Sequence, residues 1–376
     1  MASRHSSILL LLGSCAIGLV LGEIMLRMFT VFPIHHPRAN RQPHAVLGHV
    51  MDPALAEIDA AGFRNTDAGV HSDIVAIGDS HTYGFNVSSA SSWPHLISRD
   101  TGLSVYNFGI GAYGILHYKY VFDLALARHP KMIILGLYVP NDLGEICRTA
   151  LLDYWQPYLT EHDFANQICP VPENDDNRVI QTVGDVLRNI AITSAIHFLL
   201  ADSWGITGGP SLEVAYGSHR TAISVDLVRR YRQGMDLASP VVEQTYRIAK
   251  LVLAEMIERS RAQNVDFTVL IVPSKQNVLA HLIDKDDPFY DLITESVALE
   301  RGLATRFDKF LTRHGVRVAH VLPCLIEHLD LPLFPESSDG HPIESGYDCY
   351  AAAAISLISE SMIWRDSTTG GTFGIE

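Results

Sequence analysis

Hydrophobic and polar positions alternate along most of this chain in a pattern typical of α/β proteins. Short apolar runs predict buried strands at residues 74–77, 103–108, 132–139, 266–272 and 316–321. Helical spacing of apolar residues predicts helices at residues 92–101, 115–128, 241–262, 291–314 and 346–361. Strands that alternate with helices form a parallel sheet covered on both faces, so we expect an α/β fold with about five parallel strands.

Two stretches depart from this alternation. Residues 8–32 are mostly apolar and carry no charge apart from Glu23 and Arg27, and their length suits the roughly 20 residues of a transmembrane helix. A cleaved signal peptide and a lipoprotein signal around Cys15 are the alternatives to an uncleaved anchor. Residues 143–239 are predicted to form an insertion, which is either a lid over the strand edge or a peripheral packing element.

These patterns define a domain organisation. We predict an N-terminal transmembrane anchor at residues 1–32, a linker at 33–65, one α/β domain at 66–365 that contains the insertion 143–239, and a disordered tail at 366–376. With 47% hydrophobic and 19% charged residues, the chain can bury a sizeable core. The formal net charge of -14 argues against a nucleic-acid partner, which requires a basic surface.

The five cysteines contain no C-x-x-C pair, which argues against a zinc or thioredoxin-like site. Cys147 and Cys169 flank one polar segment of the predicted insertion. They form either a disulfide, in an oxidising compartment, or two unpaired thiols. The sequence leaves both alternatives open.

Ser80 follows the first predicted strand, in the sequence Gly78-Asp79-Ser80. A serine on a sharp turn at the carboxyl end of a parallel strand presents its hydroxyl outside the sheet, with backbone N–H groups nearby. An ordinary strand-to-loop junction uses the same residue types. The turn therefore makes Ser80 a candidate nucleophile that needs partners elsewhere in the chain.

His341 and Asp339 are the candidate partners, immediately before the last predicted helix. An imidazole titrates near neutral pH and can remove the serine proton. In an extended loop, residues i and i+2 point the same way, so the Asp339 carboxylate can bind Nδ1 of His341 and fix its tautomer. His81 and His117 are rival bases, although loop position and helix packing also explain them.

An acyl-transfer site also needs hydrogen-bond donors for the developing oxyanion. The candidates are the N–H of Ser80, a backbone N–H of the Gly111-Ala112 turn and the side-chain amide of Asn141, all at the ends of predicted strands. Each preorganised donor of this kind contributes about 2.7–4 kcal/mol. Asn141 has the alternative role of a helix cap.

The sequence Gly109-Ile-Gly111-Ala-Tyr-Gly114 matches the dinucleotide fingerprint G-x-G-x-x-G. It follows the second predicted strand rather than the first, and the acidic residue expected about 20 positions later is absent, since His129 stands there. We therefore expect no nicotinamide dinucleotide at this turn.

Together these segments resemble the four signature blocks of the SGNH (GDSL-type) hydrolases. The blocks are Gly78-Asp79-Ser80, Asn107-Phe-Gly-Ile-Gly-Ala-Tyr-Gly114, Asn141-Asp142 and Asp339-Gly-His341-Pro. The resemblance implies a flavodoxin-like three-layer α/β/α fold, ester hydrolysis or acyl transfer, and no cofactor. It implies Ser80 as nucleophile, His341 as base with Asp339, and Ser80, Ala112 and Asn141 as oxyanion donors.

The chain departs from the family pattern at two places. The glycine of the second block falls on Ala112, which lacks the freedom of glycine to adopt positive φ, so Gly111 is an alternative donor. The usual Asp-x-x-His spacing is here Asp339-x-His341, which resembles some O-acetyltransferases that modify bacterial exopolysaccharides.

The chain also resembles a membrane-anchored envelope subgroup in which Gly-Phe-Arg precedes the serine block, as it does at residues 62–64. This implies an inner-membrane anchor and a catalytic domain on the periplasmic side. The first hypothesis is an esterase that acts on an acylated small molecule or carbohydrate. The second is an exopolysaccharide O-acetyltransferase with polysaccharide-biosynthesis partners, and the third is a non-catalytic glycan-binding or assembly protein.

Overall fold

The computed structural model describes residues 14, 18, 21, 40–66, 69, 71–164 and 209–361. Its strands, in chain order, are β1 (Arg41–His44), β2 (Gly48–Met51), β3 (Ile74–Ile77), β4 (Val105–Asn107), β5 (Met132–Tyr138), β6 (Ser211–Tyr216), β7 (His219–Ser224), β8 (Asp266–Val272) and β9 (Arg317–His320). Its α-helices are α1 (Ser80–Tyr83), α2 (Trp93–Thr101), α3 (Ile115–Leu126), α4 (Val139–Thr149), α5 (Gln156–Glu161), α6 (Val225–Met235), α7 (Pro240–Ala262), α8 (Lys275–Leu279), α9 (Tyr290–Arg313), α10 (Leu322–Glu327) and α11 (Glu344–Ser359). Short 3₁₀ helices lie at Ser89–Ser91, Asp153–Trp155 and Ala280–Leu282.

A five-stranded parallel sheet with the order β4-β3-β5-β8-β9 forms the centre of the fold. This confirms the predicted α/β class and the predicted number of strands. The chain passes from β3 outward to β4 and then returns to the other side of β3 to form β5. Strand order therefore reverses beside β3, and the carboxyl ends of β3 and β5 lie at the switch point where ligands bind in open α/β sheets.

The two faces of the sheet bury different side chains. In β3, Val75 and Ile77 belong to the hydrophobic cluster that includes α3 and α7. Ile74 and Ala76 belong to the cluster that includes α2 and α11. Because successive strand residues point to opposite faces, a fully apolar strand is the sequence signature of a sheet covered on both sides.

One predicted boundary is wrong at the end of β5. The sequence predicts that this strand continues to residue 139, but β5 ends at Tyr138, and α4 begins at Val139 and contains Asn141 in its first turn. Pro140 suits this position because the first helical N–H groups need no intrahelical acceptor. The Asp142 carboxylate accepts a hydrogen bond of 2.9 Å from the N–H of Tyr138, the residue that precedes the helix.

The described parts of the predicted insertion contain more regular structure than the sequence suggested. The glycine-rich sequence of residues 205–217 predicts irregular structure, but residues 211–216 form β6, which pairs with β7 in an antiparallel hairpin. Gly217 adopts a φ of +54° at the hairpin turn. The sequence also predicts an amphipathic helix at residues 183–200, which lie outside the described residues.

Several other predictions concern residues that lie outside the described ranges. Residues 1–32, apart from 14, 18 and 21, lie outside it, as do Cys169 and the tail 366–376. Among the residues that are described, no helix is both long and apolar enough to cross a membrane. Within the predicted linker 33–65, β1 and β2 form a small sheet, and the core includes Leu47 and Phe63, each 1% exposed.

A disulfide that the sequence analysis did not predict joins Cys324 of α10 to Cys349 of α11. The two cysteines are 25 positions apart. The segment that they enclose carries Asp339 and His341, so the covalent link closes the loop in which the candidate base lies.

Candidate active site

The turn after β3 places Ser80 at the first position of α1. Gly78 is required there, because a Cβ on it would lie 2.0 Å from Thr82 Oγ1 and 3.0 Å from the Gly136 carbonyl oxygen. The Asp79 carboxylate accepts a hydrogen bond of 2.9 Å from the N–H of His81 and so caps the short helix. The sequence Gly-Asp-Ser therefore builds a tight strand-to-helix turn with the serine at its apex.

Ser80, His341 and Asp339 form one continuous hydrogen-bonded chain. His341 Nε2 lies 2.8 Å from Ser80 Oγ, and His341 Nδ1 lies 2.8 Å from Asp339 Oδ1. A carboxylate only accepts, so Nδ1 carries the proton and the Nε2 lone pair faces the serine hydroxyl. Ser80 is 8% exposed. The structure thus brings Ser80 to His341 and Asp339, although Ser80 and His341 are 261 positions apart in the sequence.

Electrostatics favours a charged Asp339 beside a basic His341. Burial opposes ionisation of Asp339, but the His341 charge and hydrogen bonds from His341 and Asn86 outweigh it and hold the pKa of the carboxyl well below its usual range. Burial likewise lowers the pKa of His341, but Asp339, with a contribution from Asp79, raises it above the ordinary 6.5. The pair is arranged to stabilise an imidazolium when His341 accepts a proton.

Ala112 takes the conformation that the family pattern assigns to glycine. Its φ is +68°, in the left-handed region. The carbonyl of the neighbouring Gly111 accepts a hydrogen bond of 3.1 Å from His49 Nε2. Within the described part of the chain, the N–H groups of Ser80 and Ala112 donate to no backbone carbonyl. The alanine substitution therefore preserves the turn, and Ala112 is a candidate oxyanion donor.

Asn141 lies at the same edge of the sheet, in the first turn of α4. Its Nδ2 donates to Asp79 Oδ2 at 3.2 Å, which leaves one N–H of the amide for a ligand. The capping interpretation does not apply, because α4 begins at Val139 with Tyr138 as its N-cap, so Asn141 lies within the helix. Asn141 is therefore oriented by the carboxylate next to the candidate nucleophile.

The rival histidines have other roles. Burial, with the charge of His341, lowers the pKa of His81 well below its ordinary value, and its Nδ1 lies 3.0 Å from the Tyr350 hydroxyl. Burial lowers the pKa of His117 to about 3, and its Nδ1 accepts from the N–H of Gly114 at 3.1 Å. Neither imidazole is basic enough to replace His341 near neutral pH.

Two buried carboxyls, those of Asp79 and Asp142, lie next to the catalytic residues and bind neighbouring groups. Burial raises the pKa of Asp79 to about 6. Burial and the nearby Asp79 charge raise the pKa of Asp142 well above its ordinary value. Asp142 accepts a hydrogen bond of 2.6 Å from the Tyr118 hydroxyl. Each carboxyl binds a group near the strand ends: Asp79 accepts from the Asn141 amide, and Asp142 accepts from the N–H of Tyr138.

Packing explains the glycines that imitate a dinucleotide fingerprint. A Cβ on Gly109 would lie 2.3 Å from the N–H nitrogen of Tyr83 and 2.5 Å from the Thr82 carbonyl carbon. This glycine lets the second block approach the helix that begins with Ser80. The close approach accounts for the residue type without a bound pyrophosphate.

Three residues that hold the segments around Ser80 and His341 in place were not predicted to have this role. Arg64 donates to the carbonyls of Gly84 at 2.7 Å and Val87 at 2.8 Å, and so ties the Gly-Phe-Arg segment to the chain after Ser80. Asn86 Nδ2 donates to Asp339 Oδ1 and to the His341 carbonyl, both at 3.2 Å. Lys275, at the end of β8, binds the same loop. The position of Lys275 shortly after a predicted strand was the sequence feature that could have indicated a place near the site.

No protein-family model matches this chain, and no curated protein does. Among solved structures, a member of the lipolytic protein G-D-S-L family from Veillonella parvula DSM 2008 is 13% identical, over 77% of this chain and 98% of its own, with a TM-score of 0.36. A phospholipase A1 from Streptomyces albidoflavus NA297 is 10% identical over 76% and 99%, with a TM-score of 0.37. A psychrotrophic esterase from Pseudoalteromonas sp. is 10% identical over 78% and 98%, with a TM-score of 0.34.

These structures are described as lipolytic or esterolytic proteins, the class that the four sequence blocks resemble. Identities of 10–13% and TM-scores below 0.4 are too low to carry an argument about activity. A proposal about the function of this chain must therefore be argued from the geometry of its own site.

Proposed function

We propose that this protein is a serine-dependent ester hydrolase of the SGNH type. The observation that carries the proposal is the continuous chain of hydrogen bonds from Ser80 Oγ through His341 to Asp339, with 2.8 Å at each step. A serine hydroxyl becomes nucleophilic only when a base removes its proton, and a base is productive only when its tautomer is fixed. Both conditions are met at one edge of the sheet.

The proposed reaction has two steps. Ser80 Oγ attacks the ester carbonyl carbon while its proton passes to His341 Nε2. The N–H groups of Ser80 and Ala112 and the Asn141 amide donate to the resulting oxyanion. The tetrahedral intermediate then expels the alcohol, which takes the proton from His341, and leaves an acyl group on Ser80. Water attacks the acyl-enzyme with the same base, and the carboxylic acid leaves as Ser80 recovers its proton.

We place this activity outside the cytoplasm, with the domain tethered to a membrane by residues 8–32. The Cys324–Cys349 disulfide supports the first part, because structural disulfides persist mainly in oxidising compartments. The apolar length of the segment supports the second part. An acylated carbohydrate or small molecule of the envelope is the substrate class that suits this location.

Acetyl transfer to an exopolysaccharide hydroxyl is the second candidate function. The spacing Asp339-x-His341 favours it, because this spacing resembles that of some O-acetyltransferases. The site geometry serves both reactions, since a sugar hydroxyl can replace water in the second step. The acceptor that attacks the acyl-enzyme decides between them.

Turnover of p-nitrophenyl acetate by the purified protein tests the proposal. We expect hydrolysis that is lost in Ser80→Ala and retained in Ser218→Ala, an exposed serine of the β6–β7 turn that serves as the matched control. Addition of an oligosaccharide acceptor separates the two functions, because transfer yields a sugar whose mass has increased by one acetyl group. Equal turnover by the wild type and Ser80→Ala would contradict both functions.

A further inference from the structure

The loop that carries Asp339 and His341 has little regular structure of its own. Residues 328–343, between α10 and α11, contain neither helix nor strand. The catalytic distances of 2.8 Å nevertheless require the loop to hold His341 within a few tenths of an ångström of its place. Side chains from other elements must therefore fix its backbone.

Lys275 is buried against this loop and binds other atoms of it than Asn86 does. It begins α8, three positions after the last residue of β8, and is 2% exposed. Its Nζ donates to the carbonyl oxygens of Ser337 at 2.8 Å and Asp339 at 2.9 Å. A lysine in this position is costly unless its hydrogen bonds are made, because burial removes the ammonium from water.

The backbone segment from which the Lys275 side chain projects is itself held by hydrogen bonds. The N–H of Ser274 and the Asn277 amide donate to Glu300 Oε1 at 3.0 and 2.7 Å, and Ser274 Oγ donates to Glu300 Oε2 at 2.5 Å. Glu300 is 2% exposed. The buried carboxyl therefore fixes the start of α8, and Lys275 projects from a fixed point towards the loop.

We propose that Lys275 is a positioning residue for the proposed hydrolase, acting through the loop carbonyls to keep His341 Nε2 within reach of Ser80 Oγ. Two hydrogen bonds to consecutive parts of the loop restrain its path more strongly than one. Asn86 restrains the same loop through the Asp339 carboxylate and the His341 carbonyl. The loop that carries Asp339 and His341 is thus bound by side chains that follow β3 and β8 in the chain.

The charge of Lys275 has a second effect on the base. Four groups face His341: the carboxyls of Asp339 and Asp79 favour its protonation, Lys275 opposes it, and His81 is neutral. Burial lowers the pKa of Lys275 to about 7, against the opposing charges of Asp339 and Glu213. Removal of the ammonium should therefore raise the pKa of His341 and move the acid limb of kcat/KM to higher pH.

Lys275→Met and Lys275→Arg test this inference, because methionine removes the charge and the donors whereas arginine keeps both. In Lys275→Met we expect kcat to fall on the order of 10²-fold, with a smaller change in KM and an acid limb at higher pH. In Lys275→Arg we expect the acid limb to return to its wild-type position. Lys309→Met, on the exposed face of α9, is the matched control and should show neither change.

A neutral variant that folds, by its thermal transition, and keeps both the wild-type kcat and the wild-type acid limb would overturn the inference. Lys275→Gln removes the same charge and provides this comparison if Lys275→Met does not fold. The inference is separable from the proposed function on which it rests. Absence of Ser80-dependent turnover in the wild type defeats the function, whereas active wild type with unchanged Lys275 variants defeats the role of the lysine alone.

Discussion

At the scale of single residues, the charges around His341 set the pH range of the site. The general base must be neutral to accept the proton of Ser80. Asp339 raises the pKa of His341 above its ordinary value and also holds its ring in place. The same carboxylate thus makes the base stronger and narrows the range of pH in which it is free to act.

The pH profile follows from this arrangement. We expect kcat/KM for p-nitrophenyl acetate to rise with pH through an apparent pKa above 6.5, the ordinary value for histidine. Asp79, with a pKa raised to about 6, titrates close to His341, so the limb belongs to the coupled groups. A rate measured from pH 4 to 9 checks this, and a midpoint well below 6.5 would contradict it.

Ala112 offers a test of backbone conformation. Its positive φ costs an alanine roughly 1 kcal/mol that a glycine does not incur. We expect Ala112→Gly to raise the free energy of unfolding, by at most about 1 kcal/mol, and to retain activity because the N–H remains. Ala352→Gly, on the exposed face of α11, is the control and should lower it by about 1 kcal/mol. A loss of stability in Ala112→Gly, measured by denaturant unfolding, would contradict this account.

The catalytic residues could be predicted from the sequence, whereas the residues that hold them in place could not. Ser80, Asn141 and His341 were predictable because chemistry restricts their types and parallel strands collect the loops that follow them. The roles of Asn86 and Lys275 were not, because both bind a loop more than 60 positions away along the chain. A long-range hydrogen bond to a backbone carbonyl leaves no local sequence pattern.

At the scale of elements, apolar runs predicted the strands well because each central strand is buried on both faces. The predictions for β3 and β8 coincide with the observed ends. The hairpin of β6 and β7 was missed because flanking glycines resemble a loop, although 211–216 alternate between exposed and buried positions in their second half. The Cys324–Cys349 link was missed because disulfide partners cannot be read from spacing alone.

The disulfide should stabilise the loop that contains the base. The double variant Cys324→Ala/Cys349→Ala is expected to lose about 2–4 kcal/mol of unfolding free energy, since the bond closes a segment of 25 positions. Denaturant unfolding of the purified protein under oxidising conditions measures the loss. An unchanged midpoint and slope would show that the link is dispensable to the fold.

At the scale of the whole molecule, one topological feature brings the site together. The order β4-β3-β5-β8-β9 places the end of β3 beside the end of β5, with β8 next along the edge. Ser80, Asn141 and Lys275 each follow one of these strands, and the loop before α11 returns His341 to the same edge. The fold class was predictable from alternation, whereas the contacts between distant loops required coordinates.

Covalent labelling of Ser80 tests the central claim most directly. The protein is treated with a fluorophosphonate, and its intact mass and peptides are measured for the wild type, Ser80→Ala and His341→Ala. We predict that the wild type gains one phosphonyl group on Ser80, that Ser80→Ala gains none, and that His341→Ala reacts far more slowly. A wild type that remains unlabelled, or that is labelled at another residue while Ser80 stays unmodified, would contradict the account.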